Sequence, residues 1–195
     1  IPPPGPTAVF GGLVFSHDLI HAIGGDEDSN KNMTRRLLLL LESAAVPGAH
    51  SQEVRKRIIT GILDRYVLED ASFISEKDRN HRIPRFLLND VVRFWRTMAV
   101  DYASKYRARA GAKWALRNIK LRMSRKLLFI SGLLMCISWE IMHNREVDRN
   151  AGLIAHLLNW TERTPLDSLA AMVDQFAPDR ASDIFDPYDA FLELI

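Results

Sequence analysis

Two histidines one helical turn apart, His17 and His21, head the list of side chains in this sequence that could do chemistry. In His17-Asp18-Leu19-Ile20-His21 both imidazoles fall on one helix face. This is the spacing at which a helix offers two ligands to zinc, with Asp18 where such a site carries its general base. A third ligand is missing, because His50, His81, His143 and His156 show no companion spacing. Helix-surface histidines are therefore the expectation. The single Cys136 can form no internal disulfide and has no Cys/His set around it, which points to a reducing, cytoplasmic setting. Neither a Gly-rich phosphate loop nor a serine nucleophile elbow occurs, so the sequence holds no self-contained catalytic set.

Charge is more informative. The whole chain carries 26 Lys+Arg against 24 Asp+Glu, a formal net charge of +2. From Arg93 to Lys126, however, 11 basic residues stand with a single acidic one, Asp101, so this stretch carries +10 and the remainder −8. Such a concentration of cations can hold an anion such as phosphate, or it can form a solvated face that pairs with the acidic remainder. Within it, Asn89, Arg93 and Arg96 share one side of a helix and Asp90, Thr97 and Asp101 an adjacent side. On the next helix Lys113, Arg117, Lys120 and Ser124 make a row beside the apolar stripe, Arg122 and Lys126 flank its other side, and Arg125 lies behind. A long cation beside a core stripe either snorkels to water or meets an anion in a crevice. Trp95 and Trp114 read as packing residues. Gly24-Gly25-Asp26-Glu27-Asp28 has the letters of the diguanylate cyclase signature, but that motif belongs on a strand turn and these residues lie between helices, as a stop followed by a cap.

The elements that must position these groups are helical throughout. With 195 residues, 47% hydrophobic and 26% charged, the chain has the profile of a globular domain able to bury a large core. No segment sustains the alternation of a half-buried strand, which predicts an all-α bundle of about seven helices around a long antiparallel hairpin. Helices are expected over Gly12–Ile23, then one capped by Asp28, Ser29 or Asn30 that includes Thr34–Ala45, then Ser51–Leu68, Pro84–Arg109 and Ala112–His143, with Gly111 breaking the hairpin. Further helices lie near Ala151–Trp160 and start at Thr164-Pro165 and Asp186-Pro187. The expected core faces are Val54, Ile58, Ile62 and Leu63; then Leu88, Val91, Val92, Trp95, Ala99, Tyr102 and Tyr106; then Leu116, Ile119, Met123, Leu127, Ile130 and Leu134. The longest apolar run, 127–139, is short of the roughly 20 residues that a membrane span needs. Residues 1–11 read as a Pro-rich linker, and the ends at Ile1 and Ile195 suggest a single helical domain, 1–195, cut from a longer chain.

Arg35 and Arg36 open the five-leucine run Leu37–Leu41, where cations oppose the helix macrodipole. Because those leucines must be enclosed, an arginine emerging there is expected to be buried against a carboxylate of the long hairpin, such as Asp90 or Asp101, or against a bound phosphate.

Read as text, the runs from Asn32 to Ser43, from Phe86 to Thr97 with Asp101-Tyr102, from Lys113 to Leu121 and from Ser124 to Leu128 resemble the helical portion of a group of bacterial nucleotidyltransferase-like proteins. The resemblance spans about Phe10 to Leu134. It implies an upstream α/β domain carrying Gly-Ser and paired aspartates on divalent metal such as magnesium, and a helical half that helps hold the substrate. No Gly-Ser with paired aspartates occurs here, and Asp26 and Asp28 stand on the wrong kind of element to take that role. The resemblance thus implies a substrate-binding half, inactive alone and with no cofactor of its own. In it Arg93, Arg96, Lys113, Arg117, Lys120 and Lys126 would hold a nucleotide, phosphate or RNA-like anion, and Asn89, Asp101 and Asn118 would orient it. The rival expectation is a non-enzymatic helical interaction module that docks a partner chain.

Overall fold

The computed structural model describes residues 12–68, 83–108, 114–142 and 149–194, the last with side chains from 152 onward. The linker expected over 1–11, the polar stretch 69–82, and Arg109, Gly111, Lys113 and His143 lie outside them. Every described element is a helix, and no strand occurs among the described residues. In order these are α1 (Ser16–His21), α2 (Asn30–Leu41), α3 (Ser51–Leu68), α4 (Arg85–Ala108), α5 (Trp114–Lys120), a π turn (Leu121–Arg125), α6 (Lys126–Met142), α7 (Arg149–Thr161), α8 (Pro165–Phe176), a 3-10 turn (Pro178–Arg180) and α9 (Ala181–Leu192). Because α5, the π turn and α6 run on without a break, eight helical rods are described where the sequence suggested about seven. None is long and apolar enough to cross a membrane.

Local chemistry sets several boundaries. Gly24, at φ 73°, takes the left-handed conformation that stops the chain after α1. Ser29, one of the expected caps, starts α2, its Oγ accepting the Asn32 amide at 3.2 Å. Thr164 and Asp167 form a reciprocal capping box at the start of α8, with Pro165 in the first turn. Pro187 does not start a helix as expected. It lies inside α9, which the 3-10 turn leads into six residues earlier.

The core stripes are also rotated from their expected registers, and each rotation has a cause. On α3 Val54 is exposed and Arg55 is buried beside Ile59, Ile62, Leu63 and Tyr66. Arg55 can take a core position because its head is satisfied: Nε donates to Ser43 Oγ (3.0 Å), Nη1 to Glu162 Oε1 (3.0 Å) and Nη2 to the Thr161 carbonyl (2.7 Å). On α4 the buried face is Leu87, Asp90, Val91 and Phe94, while Val92 and Tyr106 are exposed. Downstream of the π turn, Leu128, Ser131 and Met135 face inward in place of Leu127, Ile130 and Leu134. A π turn accommodates one extra residue, and a shift of one is what is seen.

The expected hairpin pair packs antiparallel. Arg117 reaches the Lys105 carbonyl (3.4 Å), Arg125 reaches Met98 Sδ (2.8 Å), and Trp95 stacks on Phe129 with ring centroids 5.3 Å apart. At the inner end a Cβ on Gly132 would stand 3.0 Å from Val91 Cγ2, so only glycine fits here without displacing Val91. Positions thus fall along α4 as they rise along the partner rod.

At the junction of α2, α3 and α4 lies Arg36, with no solvent exposure. Its Nη1 and Nη2 clasp Asp28 at 2.8 and 2.7 Å, Nη2 also donates to Asp90 at 2.9 Å, and Nε donates to Tyr66 Oη at 2.9 Å. Tyr66 in turn donates to Asp90 at 2.5 Å, and Arg93 Nη1 donates to the other Asp90 oxygen at 2.8 Å. Burial works to lower the Arg36 pKa, but the bonds to Asp28 and Tyr66 outweigh it and leave it raised. Burial and the Asp90 charge push the Tyr66 hydroxyl well above its ordinary value.

Replacing Arg36 by alanine leaves Asp28 buried without a cation and Asp90 with Arg93 alone, and urea unfolding should register a loss of about 3–5 kcal/mol. Tyr66 holds its proton in the folded chain when the unfolded chain, with a pKa of about 10, has released it. Its contribution is therefore complete below about pH 10 and is lost as pH rises further. Stability measured from pH 8 to 11 should fall more steeply above 10 for the wild type than for Tyr66→Phe.

Candidate anion-binding cleft

Between α2, α4, the π turn and the end of α9 lies a cleft of about 660 Å³. Its floor is apolar, made by Leu38 of α2, Phe94 and Met98 of α4, Leu116 of α5 and Leu128 of α6, with Phe191 and Leu194 closing one side. Lys120, Ser124 and Arg125 supply the polar wall, and Glu42, just past α2, is its one carboxylate among the described residues.

The polar wall owes its shape to the π turn. Widening the helix over Leu121–Arg125 keeps the residues below it facing the core and brings Ser124 and Arg125 round to the cleft. Arg125, expected behind the stripe, instead leans across to Met98, whose thioether is its only hydrogen-bond partner among the described residues. A thioether is a weak acceptor, so most of this guanidinium's five donors remain for an anion. Lys120 has no hydrogen-bond partner among the described residues. The Met123 carbonyl, within the turn, accepts from Tyr188 Oη at 2.9 Å, which ties α9 to the same wall.

The other expected site residues are dispersed. Among the described residues, Lys120 is the one member of the expected anion-binding set that lines the cleft. Arg93 is engaged with Asp90 and, at 3.3 Å, with Asn30. Asn89 and Arg96 are exposed on the outer face of α4, and Lys126 is exposed on α6. Asp101 pairs with Lys105 at 2.7 Å, Arg117 binds the Lys105 carbonyl, and Asn118 is half-buried. Of Arg35 and Arg36, the second is buried on Asp28 and Asp90, and the first stays half-exposed. Lys113 lies outside the described residues.

Two other candidates resolve into structure. Asp28 is a counter-ion of Arg36 and takes the Gly24 amide at 3.3 Å, so the Gly24–Asp28 loop folds around it. The His17 and His21 rings lie 4.7 Å apart on α1, and among the described residues no group of three or more His, Cys, Asp or Glu could hold a metal ion. A second cleft, of about 580 Å³, is lined by Trp139, Trp160 and His156. There His156 Nε2 lies 2.7 Å from Ser138 Oγ. Ser138 has no solvent exposure and sits mid-helix, so this pair pins α6 to α7 and offers no nucleophile to a substrate. Cys136 is fully buried, and burial pushes its thiol far above the ordinary range. A thiol reagent such as dithionitrobenzoate should leave Cys136 untouched in the native protein and titrate one thiol in guanidinium.

Neither a protein-family model, nor a curated protein, nor a solved structure matches this chain.

Proposed function

We propose that this chain is a helical binding domain that holds a phosphate-bearing ligand, with a nucleotide as the simplest form, in the cleft at the π turn. One observation carries the proposal: two cations without a carboxylate partner among the described residues, Lys120 and Arg125, stand over an apolar floor in a single concave site. That juxtaposition suits a ligand with an anionic head and a flat apolar body. Phosphate oxygens would take the forked donors of Arg125 and the ammonium of Lys120. A base would lie on Met98, Leu116 and Leu128, within reach of Ser124 and of Glu42, an acceptor for an amino or hydroxyl group. The +10 stretch supports the proposal by drawing anions towards this side of the molecule. The resemblance to nucleotidyltransferase-like proteins gives such a domain a place: it would orient the triphosphate while the metal-binding carboxylates belong to an upstream domain.

Calorimetric titration with ATP and with inorganic triphosphate is the direct test. ATP should bind more tightly than triphosphate, and both should weaken as salt rises. Lys120→Ala and Arg125→Ala should each lower ATP affinity by roughly tenfold, the effect of one lost charge-assisted bond. Arg96→Ala removes a charge from the same arm outside the cleft and should change affinity by less than about threefold, since only screened long-range attraction is lost. Equal affinity for all four proteins would reject the cleft as the site.

A further inference from the structure

We infer that the C-terminal half of α9 is a hinged gate on this cleft, closed in the present structure, so that Phe191 and Tyr188 regulate entry to the anion site. The inference rests on the cleft being where the ligand binds. The hinge is Pro187, inside α9. With no amide hydrogen, it leaves the Asp183 carbonyl without its helical donor, and its ring crowds that carbonyl. The five residues of helix beyond it, 188–192, therefore turn on a joint lacking one backbone bond.

Past the hinge little holds the segment down. α9 packs mainly on α8 and the 3-10 turn that precede it in the chain. Among the described residues one hydrogen bond, from Tyr188 Oη to the Met123 carbonyl, ties the part beyond Pro187 to another helix. Phe191 is the single apolar anchor: it is 7% exposed, whereas Leu192 and Leu194 are 53% and 76% exposed. An element held by one hydrogen bond and one side chain opens at low free-energy cost compared with the core. What it borders is the proposed ligand floor, because Phe191 and Leu194 form one side of the cleft.

Charge gives the gate its sense. Asp189 and Glu193 are exposed on this segment, while the wall it meets carries Lys120 and Arg125. An acidic flap on a basic cleft occupies the field that an anionic ligand would use. The ligand therefore displaces the flap by competing for the cations, by repelling its carboxylates and by replacing Phe191 on the floor. A closed gate reduces apparent affinity by the fraction of time it is shut.

The test uses the whole chain with a fluorescent N-methylanthraniloyl ATP in stopped flow, together with amide hydrogen exchange. Tyr188→Phe removes the tether and Phe191→Ala the anchor, and each should speed association about three- to tenfold by raising the open fraction. Pro187→Ala restores the missing helical bond and should slow association. Amides of 188–192 should exchange faster once ATP is bound. If the wild type binds and all three variants associate at its rate, with 188–192 equally or better protected in the complex, α9 is a fixed wall and the gate is overturned. If the wild type does not bind, or binds no better than Lys120→Ala, the cleft itself fails and the gate fails with it.

Discussion

A single guanidinium, that of Arg36, sets the arrangement on which the other contacts depend. It sits one turn into a helix of leucines, with no route to water, and must be neutralised where it lies. Asp28, from the loop before α2, supplies one carboxylate, and Asp90, 54 positions away on α4, supplies the other. Tyr66 of α3 bridges them, and Arg93 balances the second negative charge from the rim. Two cations and two carboxylates give no net charge, and each bond has defined geometry. The cluster therefore fixes how α2, α3 and α4 meet more sharply than apolar packing would. A buried ion pair is poor evidence for net stability, since desolvation offsets much of its attraction, and its role here is to select one arrangement.

From that junction the placement of the cleft follows. Beside that junction, Leu38 of α2 and Phe94 and Met98 of α4 line the cleft. The opposite wall is brought close at one end by Gly132, which lets α6 approach Val91 and Leu41. At the other end the π turn widens the rod. The same device reconciles the core below with the polar wall above: one extra residue aligns Leu128, Ser131 and Met135 inward while Ser124 and Arg125 reach the cleft. A second tie, Arg55 to Ser43 and to the α7–α8 turn 107 positions away, holds the end of α2 near Glu42.

The cations of the basic stretch divide by partner. Arg93 and Lys105 are committed to internal carboxylates, and Arg117 to a carbonyl. Lys120 and Arg125 have no carboxylate partner among the described residues and share a concave surface with apolar side chains. That difference, and not the size of the net charge, separates a binding site from a solvated face.

Read alone, the sequence determined the helical class, the extent of α3 and α4 to within a residue or two, the capping box at Thr164 and Asp167, and the concentration of cations between Arg93 and Lys126. All of these are set by neighbours within a few positions along the chain: hydrophobic spacing, cap chemistry and local composition. It also marked Arg36 as out of place for a solvated side chain, because a cation at the start of a buried leucine helix needs a partner. Only the tertiary structure decided that Asp28 is a counter-ion of Arg36, that Arg55 occupies a core position in place of Val54, and that Pro187 lies inside a helix. It also decided that Lys120 and Arg125 face a cleft while Arg96 and Lys126 face water. Periodicity along one helix fixes which residues share a side and leaves open which neighbour that side meets. A π turn has no local signature here, yet it rotates every later side chain. Convergence of groups tens of positions apart depends on that rotation and on the packing of whole helices.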